Sequence, residues 1–342
     1  MWEWCCVHYY RTINSLTTMR RIILLFCLLA VACKKDDHTL VVTAKPTMLQ
    51  YIGNDPQLTL FKAALQHAGL FNDTTFANGA PYTIFAPLDS ALKAAGLTAD
   101  SISKYDPAAL AFVLKYHIAF GNLGSSTLIG FYTQEVITLN PTYRPTLSKN
   151  FFGIFVNGIP VTKADIVLGD GVIHKIGRVA FPPVGNLMQE LDHQPDLTMF
   201  ATAIRILQLD TMLVKHNPVP VNPYVPPVVI PTVTILAPDD NAFREYGFAD
   251  TTAIKNTDPV ALKRFILYYF KQGSNFTSVL LGGAQFGAAV YDANNYGQKI
   301  FVVESDGVTI TAAGNVAAPH IIRPDIVATN GVIQVVDQVI IP

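Results

Sequence analysis

Charge is scarce in this chain. Only 14% of its 342 residues are Asp, Glu, Lys or Arg, and 24 Lys+Arg stand against 25 Asp+Glu, a formal charge of -1. No field of one sign is present to gather phosphates and no stretch clusters Lys and Arg, so a nucleic-acid partner is set aside. Cysteine is equally sparse: the four are Cys5, Cys6, Cys27 and Cys33. Everything beyond Cys33 therefore lacks a disulfide framework, a thiol nucleophile and a Cys-ligated metal. A metal-spaced His pair, a Gly-x-Ser-x-Gly elbow and a phosphate loop are missing too, which leaves catalysis without a recognisable motif. The expectation is a protein that is not an enzyme and that carries no cofactor and no metal. What is plentiful is apolar: 50% of the residues are hydrophobic. That excludes a disordered tail protein, and at ~150 residues per domain the length suggests about two domains.

Long hydrophobic runs are also lacking. The apolar stretch near the amino terminus, Ile22 to Ala32, has 11 residues, short of the ~20 that a helix needs to cross a membrane. It follows Arg20-Arg21 and ends in small residues before a cysteine, the shape of a signal peptide rather than of a permanent anchor. Met19 is read as the biological start. The tail Ala30-Val31-Ala32-Cys33 resembles a bacterial lipobox, which implies cleavage before Cys33 and lipidation of its thiol. Lys34-Lys35-Asp36-Asp37 resembles the export tag of surface lipoproteins in double-membraned bacteria. Several acyl chains make a stable tether where a single one holds only marginally. The expected location is the outer membrane, lipid-anchored and surface-exposed, with residues 1–33 as signal peptide and 34–46 as tether.

The rest of the chain is a repeat. Pro56-Gln-Leu-Thr-Leu-Phe61 recurs as Pro195-Asp-Leu-Thr-Met-Phe200, and Thr83-Ile-Phe-Ala-Pro-Leu-Asp-Ser-Ala91 as Thr234-Ile-Leu-Ala-Pro-Asp-Asp-Asn-Ala242. Asp106-Pro-Ala-Ala-Leu110 returns as Asp258-Pro-Val-Ala-Leu262, and Gly171-Val-Ile173 as Gly331-Val-Ile333. The unit is far longer than the 20–50 residues of solenoid repeats, so each copy should own a core. Domain spans of 47–183 and 184–342 follow, with the boundary near Phe181-Pro-Pro-Val184.

Within a unit, the spacing of Leu58, Phe61, Ala64, Leu65 and Ala68 predicts an amphipathic helix stopped by Gly69. Tyr82 to Ala86 reads as a strand ended by Pro87. Asp89 is expected to cap the helix that begins near Ser90, with Asp239 and Asp240 available in the second copy. Asp106-Pro107 opens another helix. Asn157-Gly158 and Asp306-Gly307 sit between β-branched runs, the strongest short hairpin signal, and the sheets are expected to be antiparallel. Helices first and strands later make the class α+β. Asn217 to Pro231 is rich in proline and reads as a rigid, extended loop.

These boxes, with Leu114-Lys-Tyr-His-Ile118 and Asp165-Ile-Val-Leu-Gly-Asp-Gly-Val-Ile-His174 after the first and Leu267-Tyr-Tyr-Phe270 and Asp325-Ile-Val after the second, resemble those of fasciclin-like domains. The resemblance covers essentially Thr47 to Pro342. It implies two domains, each a β-wedge or sandwich with a flanking helix cluster, used outside the cell for adhesion and matrix contact and without catalysis. It also implies candidate ligand contacts at Tyr116, His117, Asp165 and Ile166, and at Asp325 and Ile326 in the second copy. The residues alone read His117 as a core histidine bonded to backbone, and Asp165 and Asp325 as turn residues satisfying nearby amides. Because Tyr269 and Gln334 stand where the first copy has His117 and His174, a role tied to those imidazoles would belong to the first domain alone. The expected partners are the membrane, through the lipid, and a protein or polysaccharide at the cell surface. The alternative role is that of a structural or assembly accessory to an outer-membrane complex.

Overall fold

The computed structural model describes residues 44–72, 81–128, 130, 133–214, 232–280, 290–291, 299–304, 308–312 and 314–341. The signal peptide, Cys33, most of the tether, the proline-rich 217–231 segment and the Asp306-Gly307 turn lie outside them.

The first repeat runs α1 (Met48–Asn54), α2 (Thr59–His67), β1 (Tyr82–Pro87), α3 (Asp89–Ala94), α4 (Ala99–Lys104), α5 (Pro107–Lys115), then β2 (Ile118–Phe120), β3 (Thr133–Glu135), β4 (Thr146–Asn150), β5 (Gly153–Val156), β6 (Ile159–Val167) and β7 (Gly171–Ile176). The second runs α6 (Leu187–His193), α7 (Thr198–Ile206), α8 (Asp210–Val214), β8 (Val233–Pro238), α9 (Asp240–Tyr246), α10 (Thr251–Lys255), α11 (Pro259–Leu267), then β9 (Phe270–Gln272), β10 (Val290–Tyr291), β11 (Lys299–Glu304), β12 (Val308–Thr311), β13 (Ile321–Ala328) and β14 (Gly331–Val336). Apart from β1 and β8, each set among the helices, the helices of both repeats precede the strands, as the sequence pattern suggests of an α+β fold.

The strand order of the first repeat is β2-β1-β7-β6-β5-β4-β3, and the second repeats its beginning as β9-β8-β14-β13, with β10-β11-β12 as a separate sheet. The expectation of antiparallel sheets needs one correction. The closing strand of each repeat pairs in parallel with the first strand, β7 with β1 and β14 with β8, in the same register. Both parallel strands are buried along their length, which is why they read as unbroken apolar runs and not as alternating ones. Gly171 and Gly331 make that pairing possible, because a Cβ at either would overlap the carbonyl oxygen of Tyr82 or Val233.

The cores are drawn from separate stretches. One is built from residues 187–340, around Phe200, Phe243 and Tyr269, and the other two come entirely from the first repeat. Burying each large apolar side chain is worth ~1.5–3 kcal/mol, so each repeat has its own driving force for folding.

The helix caps hold a second correction. Asp89 does not cap the helix it begins: Leu88 is the N-cap residue there and makes no side-chain bond. The Asp89 carboxylate instead accepts from the Leu60 amide at 2.9 Å and the Thr59 hydroxyl at 2.5 Å, satisfying the start of α2, whose own N-cap, Leu58, has no oxygen to offer. Asp240 does the same for Met199 and Thr198, while Asp239 caps α9 through the Ala242 amide. The first repeat lacks that second aspartate, since Leu88 occupies its place. Asp106 and Asp258 cap α5 and α11 as expected, each with proline in the opening turn.

Replacing Gly331 with alanine should lower the stability of the second repeat by about 1–3 kcal/mol, the usual cost of forcing a group into a full site. Urea unfolding checks this, and an unchanged midpoint would contradict the reading of Gly331.

Candidate functional site

Each long penultimate strand carries an aspartate at a bulge. β6 shifts register against β7 between Lys163 and Ile166, and β13 shifts against β14 between Arg323 and Ile326. Asp165 and Asp325 sit in these breaks with φ of 57° and 64°. A left-handed backbone is unfavourable for most residues and least so for Asn and Asp, and a bulge turns a side chain out of the normal alternation.

Both aspartates are held by similar bonds, with one more at Asp325, whose Oδ1 also accepts from Gln334 Nε2 at 2.9 Å. The Asp165 amide donates to His174 Nδ1 at 3.2 Å, and the Asp325 amide to Gln334 Oε1 at 2.9 Å. His174 Nε2 then reaches the Leu123 carbonyl at 2.9 Å, and Gln334 Nε2 the Asn275 carbonyl at 3.1 Å. Nδ1 of His174 accepts, so Nε2 carries the proton. The Asp165 carboxylate accepts from the amide and hydroxyl of Ser125, the former at 2.8 Å. The Asp325 carboxylate accepts from the amide and hydroxyl of Thr277 at 2.7 and 2.6 Å. Partial burial pushes the Asp165 carboxyl up, but the Ser125 hydroxyl and amide bonds, helped by the Lys149 charge, outweigh it and hold the carboxyl below its ordinary range. Burial lowers the affinity of His174 for a second proton.

The two aspartates differ in what covers them. Asp165 is exposed. The Asp325 side chain is 0% exposed, because Arg178, from the first repeat, donates Nη2 to its carboxylate at 2.8 Å and Nη1 to the neighbouring Pro324 carbonyl at 2.9 Å. The two-residue turn Asn157-Gly158 between β5 and β6, left-handed at both positions, lies against the same carboxylate. A Cβ on Gly158 would come within 2.8 Å of Asp325 Oδ1 and closer to its other atoms. Asn150 Nδ2 also donates to the Ser278 carbonyl at 2.7 Å, and the Ser148 and Ser278 hydroxyls meet at 3.2 Å. Asp325 is therefore the centre of the junction between the repeats. Beside it opens a cleft of about 950 Å³ walled by Phe112, Val113 and Ala180 of the first repeat and Ile326 and Val327 of the second.

Tyr116 and His117 are 1% exposed and present no surface to a ligand. The Tyr116 hydroxyl accepts from Asn157 Nδ2 at 3.0 Å, and burial raises its pKa. His117 Nε2 accepts from the Ala180 amide at 3.1 Å while Nδ1 donates to the Val113 carbonyl at 3.0 Å. In the second repeat the Tyr269 hydroxyl accepts from the Ile340 amide at 3.0 Å and donates to the Ile340 carbonyl at 3.3 Å. Tyr269 thus ties down the closing segment as His117 does, and Gln334 makes both bonds of His174 and adds one to the Asp325 carboxylate. The structural roles of these imidazoles belong to both repeats, not to the first alone. Arg178, Ser125 and Thr277 escaped the sequence reading, which took Gly158 for a hairpin residue without its contact to Asp325. Ser125 and Thr277 share the offset of the Asp106 and Asp258 boxes, but a lone hydroxyl in a loop carries no motif. Among the described residues no group of three His, Cys, Asp or Glu side chains could hold a metal ion, and no helix is long and apolar enough to cross a membrane.

The fasciclin domain model matches the chain twice, at residues 56–182 and 195–342. The chain belongs to the fasciclin domain family. Fasciclin domains 1 and 2 are the two repeats described above. Transforming growth factor-beta-induced protein ig-h3 from Sus scrofa is 30% identical over 178 residues, 51% of this chain and 25% of that protein. Stabilin-1 from Homo sapiens is 32% identical over 100 residues, 28% of this chain and 4% of that protein. The chain thus spans a quarter or less of these curated relatives. Among solved structures, a FAS1 domain pair from the insect cell adhesion molecule fasciclin I aligns over 83% of this chain and 96% of its own, at 16% identity and a TM-score of 0.41.

Burial holds the His117 pKa at about 4, against its ordinary 6.5. The unfolded chain takes up this proton below pH 6.5 and the folded chain does not until about pH 4. The stability from neutral His117 is therefore complete above pH 6.5 and lost as pH falls towards 4, by roughly 3 kcal/mol in all. His117→Tyr, borrowed from domain 2, should flatten the acid limb of a stability-against-pH profile measured by urea unfolding, and an unchanged limb would contradict it.

Proposed function

We propose that this chain is a non-enzymatic adhesion protein of the cell surface, a lipoprotein anchored to the outer membrane through Cys33, whose two fasciclin domains hold a protein or polysaccharide of the surroundings. Membership of the fasciclin family and the reading of the amino-terminal segment support this. The observation that carries it further is the asymmetry between the bulged aspartates. Asp325 is covered by domain 1, whereas Asp165 is exposed beside a Val167 that is 49% exposed; Ile166 and Ile326 are both partly buried. Binding belongs to domain 1 and its Asp165-Ile166 face. Domain 2 serves as the rigid support, with Asp325 committed to the junction. Tyr116 and His117 contribute by holding the Asn157 turn and the closing segment in place.

The lipid-free protein should bind whole cells or matrix polysaccharide saturably, and Asp165→Asn, which keeps one acceptor oxygen for the Ser125 bonds, should weaken that binding several-fold while lowering the unfolding free energy measured in urea by about 1–2 kcal/mol, the cost of one lost bond to a carboxylate. Failure to bind across matrix ligands, together with a stoichiometric protein partner recovered from native membranes, would overturn adhesion in favour of an assembly role.

A further inference from the structure

We propose that the Asp165 element of domain 1 is a socket for an arginine side chain carried by another protein, as the Asp325 element is for Arg178. The proposal rests on the adhesion reading and deepens it by naming the chemistry of the partner.

The two elements share their main anchors: a left-handed aspartate in a bulge, its amide accepted by the residue nine positions on, its carboxylate oriented by the amide and hydroxyl of one Ser or Thr. Asp325 differs in one further bond to its carboxylate, from Gln334 Nε2 at 2.9 Å, which leaves the Asp165 carboxylate the less satisfied of the two. In domain 2 the occupant is visible. One arm of the Arg178 guanidinium takes the carboxylate and the other takes the carbonyl of the preceding residue, at 2.8 and 2.9 Å. That two-pronged contact suits a planar fork of donors and not the single point charge of a lysine. Domain 1 presents the equivalent pair, the Asp165 carboxylate and the Ala164 backbone, on its surface.

Nothing in the described part of the chain fills this socket. Among the described residues no ion pair reaches Asp165. Lys149, whose charge acts on Asp165, gives its hydrogen bond to the Ser125 carbonyl at 2.8 Å. Of the described arginines, Arg178 is spent on Asp325, Arg205 on Asp192 and Arg323 on Asp196, Arg244 bonds Asn241, and neither Arg144 nor Arg264 forms an ion pair with Asp165. A second copy of the same chain does not supply the missing group in the same way, because Gln338 stands at the domain 2 position that corresponds to Arg178. An acidic polysaccharide would be repelled by the carboxylate. The occupant that fits is an arginine on a different protein, set beside a turn without a bulky side chain, as Gly158 is beside Asp325. Val167, half exposed next to the socket, supplies an apolar flank.

The test is amide NMR on the full chain with N-acetyl-arginine amide as the probe and N-acetyl-lysine amide as its control. The Ser125 amide, which donates to Asp165, should shift saturably with the arginine probe, several-fold more weakly with the lysine one, and not at all in Asp165→Asn. The Thr277 amide should stay still in the parent, where Arg178 fills the site, and respond in Arg178→Gln. A Ser125 signal indifferent to the arginine probe, or equally sensitive to both probes, would overturn the proposal. The adhesion reading stands or falls separately: cell binding that survives Asp165→Asn sinks the socket and spares adhesion, and a responsive Ser125 in a protein that binds no cells does the reverse.

Discussion

A carboxylate set in a left-handed bulge has to be satisfied from several directions at once, and both halves of this protein are arranged to do so. A left-handed residue costs of order 1–2 kcal/mol and an unpaired buried amide a similar amount, so the bulge persists only while its neighbours supply bonds. The residue nine positions on, in the closing strand, takes the amide, and a hydroxyl residue in the loop after β2 or β9 takes the carboxylate. The closing strand is itself fixed by parallel pairing with the first strand of its repeat. Each aspartate therefore draws together the start, middle and end of its domain. Asp325 does more, because Arg178 extends the same network into the neighbouring domain and covers the charge from water.

The two domains keep these bonds while changing the residues that make them. Gln334 offers an amide oxygen and nitrogen where His174 offers two ring nitrogens, and the Tyr269 hydroxyl reaches the closing segment where the His117 ring does. What matters at these positions is a donor and an acceptor at the right separation. A substitution that removed the acceptor would strand a buried N–H at a cost of ~1–3 kcal/mol, whereas a swap between the two solutions preserves it.

Much of the architecture was legible because it follows from short-range chemistry. Proline after a capping aspartate, Asn-Gly between β-branched runs and recurring boxes each dictate a local geometry that tertiary packing leaves alone. The parallel pairing was not legible, since strands buried on both faces lose the alternation that reports a half-buried sheet. Asp89 was assigned to the wrong helix because a capping carboxylate serves whichever free donors lie nearby, and the Leu60 amide and Thr59 hydroxyl of α2 are 29 and 30 residues away in sequence. The candidate site residues fell into two groups. Tyr116 and His117 lie inside, as the apolar stripe before them suggests, while Asp165 and Asp325 share a local geometry that the sequence announces. Only the junction separates the two aspartates, and Arg178 has no motif around it to give that away.

The account turns on Asp325 and Arg178 locking the two fasciclin domains in a fixed relation, leaving Asp165 as the exposed member of the pair. Because every cysteine precedes Lys34, spin labels can be placed at the exposed Lys104 and Lys263, one in each domain, and their separation followed by pulsed electron resonance. One narrow distance distribution in the parent, broadened in Arg178→Gln, is what the lock predicts. A distribution that is already broad in the parent, or that Arg178→Gln leaves unchanged, would contradict it.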